Sequence, residues 1–263
     1  MCKDKSHYSV CLHCTYFESI HRGNVSKVKA CVELDPDLVN VKNKNKYAGL
    51  HYAAEYGNTE LCEFLVTCSD IDINTTDNTN LTPLMVSCIN GNDKITECLM
   101  EAGADPNFKN FDGYSAAMWA VYFNRISSVK ILAKYKETDW NLTNVYGNNL
   151  AMDAVTKDFI LMLQTLMQTV KTISWNARND NGESALTLAI KGNKYAIINT
   201  LLSNPVLFFD TEHLKKMNVY EQAVFFCKQF LANGQSNVDN KTLVTVALES
   251  GFKNMASFLG NIP

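Results

Sequence analysis

Apolar residues along this chain fall in short blocks set off by polar breaks, and the spacing inside the blocks is helical. One stretch shows the pattern. Thr82-Pro83-Leu84-Met85-Val86-Ser87-Cys88-Ile89 opens with a capping threonine and a proline in the first turn. Asn90-Gly91-Asn92-Asp93 breaks the block, the glycine suiting a left-handed helix end. Ile95, Cys98 and Leu99 then follow at i, i+3 and i+4, the stripe of a second amphipathic helix that ends at Gly103. Asn74 to Thr79, ahead of both, is a polar turn segment. The predicted unit is turn, helix, turn, helix, with each helix about 8–10 residues long. Helices of that length are marginal alone, so neighbouring units must bury their apolar faces.

The unit recurs. Asn40, Asn74, Asn107, Asn141 and Asn176 are 34, 33, 34 and 35 residues apart. Three residues after each stands another Asn or Asp: Asn43, Asp77, Asn110, Asn144 and Asn179. Seven residues further on is Leu50, Leu84, Ala117, Ala151 or Leu186, and seven beyond that Gly57, Gly91, Asn124, Asp158 or Asn193. Four landmarks held in register over five units make this a repeat protein.

Within the units, Thr82-Pro83-Leu84, Leu50-His51-Tyr52-Ala53-Ala54-Glu55-Tyr56-Gly57-Asn58 and Met100-Glu101-Ala102-Gly103-Ala104-Asp105-Pro106-Asn107 resemble ankyrin-repeat signatures. The resemblance is specific from about Asn40 to Leu202. It implies an all-α solenoid of stacked helix pairs with short β-hairpin or turn fingers. The expected organisation is an N-terminal segment and capping unit at 1–39 and five repeats at 40–206. A divergent helical unit at 207–233 and a C-terminal capping unit at 234–263 complete it, about seven or eight units in all. Two departures from the family pattern matter. The proline of its Thr-Pro-Leu-His box survives only at Pro83 and its histidine only at His51, where Ala48 replaces the threonine. His51 is expected to bond the turn within the core, and Trp140 and Trp175 to pack beneath the turns.

The resemblance further implies binding on a concave face made by the hairpin tips and the first helix of each pair. In register, that face carries an aromatic-rich band: Tyr47, Tyr56, Leu81, Ile89, Phe111, Tyr114, Tyr122, Phe123 and Tyr146. Tips need no large apolar side chain for folding, and contiguous exposed aromatics mark interaction sites. Trp119 sits one position further in and reads as half-buried packing. The expected function is a non-catalytic scaffold or adaptor that grips a segment of a partner protein. An inhibitor or a substrate-recruiting subunit of a larger complex would use the same surface. The family also implies a modification: Leu99, Asp105 and Asn107 match the Leu-x5-Asp-x-Asn turn of asparagine hydroxylases. Turn bonding is the competing role for Asn107.

Composition narrows the partner class more than it adds chemistry. The net charge is −3, with 21 Lys, 3 Arg and no basic block, so a nucleic-acid partner has no electrostatic footprint. The 29 asparagines look like bias until the repeat accounts for many of them. Nine cysteines, mostly within or at the ends of apolar helical stretches, read as small hydrophobes in a reducing compartment. No stretch has the length of a signal peptide core or a membrane span. An intracellular protein is expected, cytoplasmic, with the nucleus as the alternative. Cys11 and Cys14, with His7 and His13 nearby, have metal-ligand residue types but crowd four groups into eight residues, a poor tetrahedral cage. GxGxxG, P-loop, HExxH and GxSxG motifs are absent, and neither an enzyme, a metal nor a cofactor is expected.

Overall fold

The computed structural model describes residues 11–192 and 194–202. Within them the chain folds as six antiparallel helix pairs: α1 (Leu12–His21) with α2 (Val25–Leu34), α3 (Gly49–Tyr56) with α4 (Thr59–Val66), and α5 (Pro83–Asn90) with α6 (Asp93–Glu101). The pairs α7 (Ala116–Tyr122) with α8 (Ile126–Leu132), α9 (Leu150–Thr156) with α10 (Ile160–Thr169), and α11 (Ala185–Lys191) with α12 (Tyr195–Leu202) follow. The expectations for 207–233 and 234–263 lie outside the described residues. Two compact units divide the chain, Met1–Val145 with α1–α8 and Tyr146–Pro263 with α9–α12.

Inside each unit the pairs stack like on like. First helices pack on first helices (α1 on α3, α3 on α5, α5 on α7; α9 on α11) and second on second (α2 on α4, α4 on α6, α6 on α8; α10 on α12). The seven-residue landmarks explain why. Leu50, Leu84, Ala117, Ala151 and Leu186 are all buried at the seams, where apolar area leaves water only because the next pair covers it. Val39, Trp140 and Trp175 are buried under the turns that follow them.

Side-chain caps start the first helices α5, α7 and α9. Thr82 Oγ1 accepts from the Met85 N–H at 3.3 Å, Ser115 Oγ from Met118 at 3.4 Å, and Asn149 Oδ1 from Met152 at 3.1 Å. Ala48 has no such oxygen, and His51 supplies the compensation. Its Nδ1 accepts from the Ala48 N–H at 3.2 Å, while Nε2 donates to the Leu81 carbonyl of the next repeat at 3.0 Å. The first helices end in left-handed residues: Gly57, Gly91, Asn124 and Asp158, with φ of 70°, 74°, 57° and 66°. Asn and Asp tolerate that region better than other side chains, so the substituted landmarks still terminate the helix.

Among the described residues there is no strand; isolated bridge residues occur at Lys42 and Ala48, which pair antiparallel, and at Thr143 and Asn149. The fingers are therefore tight turns. No described helix is long and apolar enough to cross a membrane.

Candidate functional site

The tips are shaped by the second asparagine of each pair. Asn43 Oδ1 accepts from the N–H groups of Asn45 at 2.8 Å and Tyr47 at 3.0 Å. Asp77 does the same for Thr79 and Leu81, at 2.8 and 2.9 Å, and Asn179 for Asn181 and Glu183, at 3.1 and 2.8 Å. A side-chain oxygen that satisfies two turn amides fixes a finger of four residues without strand pairing. Adjacent tips are then tied by backbone. Asn78 N–H donates to Asn45 C=O at 3.1 Å, Val145 to Asp112 at 3.0 Å and, in the second unit, Asp180 to Tyr146 at 3.2 Å.

The first asparagine of each pair works between repeats. Asn40 donates from Nδ2 to Asp70 C=O at 2.6 Å and accepts at Oδ1 from Asp72 N–H at 2.8 Å. Asn107 repeats the clamp on Glu137 C=O and Asp139 N–H, both at 2.7 Å. Asn74 accepts from Asp105 N–H at 2.8 Å. Asn107 is thus fully engaged as a rung between turns, the structural role set against hydroxylation.

On this frame the candidate binding residues divide into exposed rims and half-buried platforms. Phe111 at its tip is 71% exposed, Tyr56 at the end of α3 is 53% exposed and Phe123 after α7 is 41% exposed. Tyr47, Leu81, Ile89, Tyr114 and Tyr122 are half-buried. Tyr146, 68% exposed, belongs to the second compact unit.

Two ring networks form in the first unit. In one, Trp119 stacks against Tyr114 (centroids 4.7 Å apart, planes 27°) and against Phe123 (5.7 Å, 28°), with Tyr122 edge-on at 5.6 Å. In the other, Tyr52 takes Tyr47, His21 and Phe17 edge-on at 4.9, 4.7 and 6.1 Å, and Tyr56 tilts beside it at 5.8 Å. His21 Nδ1 lies 3.1 Å from the Tyr56 hydroxyl, and Asn43 Nδ2 donates to the Tyr52 hydroxyl at 2.6 Å. Burial, followed by the nearby Glu55 carboxylate, pushes the Tyr47 hydroxyl well above the ordinary phenol range. Burial likewise raises Tyr52 and Tyr56. All three stay neutral and present hydroxyls as both donors and acceptors.

Sequence reasoning placed the rim and missed part of the platform. Phe17, His21 and Tyr52 fell outside the set, and Trp119 was assigned only to packing. Helical spacing held the missing signal: Phe17 and His21, Tyr52 and Tyr56, and Trp119 and Phe123 are each i, i+4 pairs. Leu81 and Ile89 belong to the repeat between the networks and join neither ring network.

No group of three or more His, Cys, Asp or Glu residues able to hold a metal occurs among the described residues. Cys14 is exposed on α1, and His13 turns its ring onto Phe17 at 5.2 Å. His7 lies outside the described residues. His51 is fully buried and held below the usual imidazole range by burial, which leaves it neutral between its two backbone partners. Asp153 on α9 is also buried, its Oδ2 without a hydrogen-bond partner, and desolvation pushes its carboxyl up to about 7.

Known proteins share this architecture. A family model described as ankyrin repeats (3 copies) matches residues 17–110, 50–144 and 117–210. The ankyrin repeat protein YahD of Escherichia coli K12 is 27% identical over 140 residues, 53% of this chain and 69% of that protein. The human transient receptor potential cation channel subfamily A member 1 is 29% identical over 54% of this chain. The Bos taurus mitochondrial disaggregase is 29% identical over 59%. The chain spans only 12% and 23% of those two proteins, so the match is confined to part of each. The crystal structure of EF0377, an ankyrin repeat protein, superposes with a TM-score of 0.65 at 20% identity, covering 71% of this chain and 96% of that one. That likeness carries the fold. With six helix pairs in repeat register and a family model spanning most of the chain, this protein belongs to the ankyrin-repeat family.

Proposed function

We propose that the chain is a non-catalytic protein-binding scaffold whose tips and first helices in Met1–Val145 grip a segment of a partner protein. Ankyrin repeats are in general protein–protein interaction modules, and this reading assigns the contact surface within them. What supports it most is the exposure of Phe111, Tyr56 and Phe123 beside rigid ring networks. Large apolar side chains left in water at turn and helix-end positions add nothing to folding, yet they are the residue types that dominate interface energetics, at about 2 kcal/mol or more each. Trp119 stacks on Phe123 and Tyr52 lies tilted beside Tyr56, so these two rim residues have less rotamer entropy to lose on binding. Tyr146 extends the candidate set into the second unit. The cytoplasm is the proposed compartment, in keeping with described cysteines that carry no disulfide.

The test is affinity capture with quantitative mass spectrometry, comparing wild type with a Phe111→Ser, Phe123→Ser double variant. Phe111 is exposed and Phe123 partly so, and the fold is expected to survive with unchanged circular dichroism and a Tm lowered by only a few degrees through the lost Trp119 stack. A partner retained near stoichiometrically by wild type is expected to fall at least about tenfold in the variant. Equal retention by both proteins sinks this surface as the site.

A further inference from the structure

Away from the ring networks, on the row of second helices, two thiols meet. Cys62 on α4 and Cys98 on α6 lie in adjacent repeats, 36 residues apart, with the Cys62 thiol donating to the Cys98 sulfur at 3.6 Å. Cys62 is completely buried, whereas Cys98 is partly exposed. This asymmetry fixes the order in which a diffusing oxidant reaches them. Two other thiols of the same region face elsewhere: Cys68 points its sulfur at the Phe64 carbonyl 3.7 Å away, and Cys88 is buried on α5.

We propose that Cys98 and Cys62 form an oxidative modification site, in which a hydroperoxide converts the thiol pair into a disulfide that staples α4 to α6. The step balances without a cofactor. The Cys98 sulfur attacks the peroxide oxygen; the O–O bond breaks, releasing water from hydrogen peroxide and leaving a sulfenic acid on Cys98. The Cys62 sulfur attacks the Cys98 sulfur; the S–S bond forms and the S–O bond breaks. The oxygen departs as a second water, carrying the Cys62 proton. Two thiols are oxidised by two electrons and one peroxide is reduced.

The surroundings set the speed. Burial pushes both thiols above the ordinary range, and the Glu63 carboxylate adds to this at both sulfurs, with Glu101 contributing at Cys98. The thiolate is the attacking species, so the site is a slow latch that closes under sustained oxidation, and its rate rises with pH. Contact between the sulfurs supplies what acidity does not. Once Cys98 is oxidised, its resolving partner already lies 3.6 Å away, against a disulfide bond of about 2 Å.

Full-length protein treated with hydrogen peroxide at about pH 8, blocked with N-ethylmaleimide and digested without reductant provides the test. The expected product is one peptide pair linked through Cys62 and Cys98, released by dithiothreitol, with Tm raised by roughly 5–10 °C in the linked protein. Formation is expected to be several-fold faster at about pH 9 than at about pH 7. In a Cys62→Ala variant, dimedone is expected to label Cys98 as the stranded sulfenic acid. In a Cys98→Ser variant, Cys62 is expected to stay reduced and Tm unchanged by peroxide. The wild-type peptide map decides the matter even if a variant folds poorly. Cys98 carried on to sulfinic acid with Cys62 still free, or linkage of either residue to a different cysteine, overturns the assignment.

Discussion

Asparagine performs two tasks in this chain, three residues apart, and the side-chain amide suits each for a different reason. As the first member of the pair it needs both a donor and an acceptor, because it clamps a carbonyl and an N–H of the next turn. As the second member its oxygen accepts from two tip amides, a task Asp77 performs equally well, while the Asn43 and Asn144 amides also donate to the Tyr52 and Tyr114 hydroxyls. The spacing of these residues was legible in the sequence, but their division of labour was not, because it depends on where the next turn lies. Asn107→Asp keeps the acceptor and loses the donor, leaving Glu137 C=O without its Nδ2 partner. Asn107→Ala loses both bonds. The expected costs are about 1 kcal/mol for the first and about 2 kcal/mol for the second, read as urea midpoints. Equal costs for the two variants would mean that the acceptor bond from Asp139 contributes nothing. At the same scale, the exposure of Phe111 and Tyr56 follows their places in the repeat, while the i, i+4 spacing of Trp119 and Phe123 signals a contact whose stacked orientation only the structure gives.

Helices and turns followed the sequence closely. Their ends coincide with the landmarks because capping and left-handed termination are local chemistry. What crosses between elements was hidden. In three second helices the residue at the start reaches back to the preceding repeat: Asn92 Nδ2 donates to Ala54 C=O at 2.7 Å, Arg125 Nε to Ile89 C=O at 3.0 Å, and Lys194 Nζ to Thr156 C=O at 3.0 Å. Three residue types perform one task, closing an orphan carbonyl at a helix end, so no sequence motif reveals it. Turns allow a cleaner test. Gly113 and Gly182 have nearly the same positive φ, 80° and 75°, but a Cβ on Gly113 would sit 2.9 Å from the backbone of Asn144 and Val145, while one on Gly182 meets nothing within 4 Å. Both alanine variants pay the left-handed penalty of about 1 kcal/mol. Gly113→Ala must also push the next finger away, and its loss of stability is expected to exceed that of Gly182→Ala by about 1–2 kcal/mol. Equal losses in chemical denaturation would show that the neighbouring turn yields freely.

Across the whole molecule, the two compact units carry buried groups that respond to acid in opposite senses. His51, in the first, has its pKa lowered by burial. The stability it contributes is present above the ordinary imidazole value and is lost as pH falls below it. Asp153, in the second, is raised from 3.8 to about 7. Its folded form is favoured below that window and penalised as pH rises through it, at about 1.4 kcal/mol per pH unit. Replacing Asp153 by Asn is expected to leave stability near wild type at about pH 4 and to raise it progressively up to about pH 7, with a constant gain above. Urea unfolding of both proteins across that range checks it, and a difference that does not vary with pH rejects the buried-carboxylate account. The sequence could not foresee this. Asp153 sits on an otherwise apolar helix face, and only the packing reveals that its charge has no outlet.

The backbone bonds between fingertips have a direction. In each one the later tip supplies the N–H and the earlier tip the carbonyl, so every added finger offers the same acceptor it has just used. Such a column can be extended by duplicating whole units of about 33 residues without inventing a new contact. A duplication of any other length would put a side of the helix pair where a tip should be. The chemistry of the fingertips thus favours growth and shrinkage of the array in whole repeats.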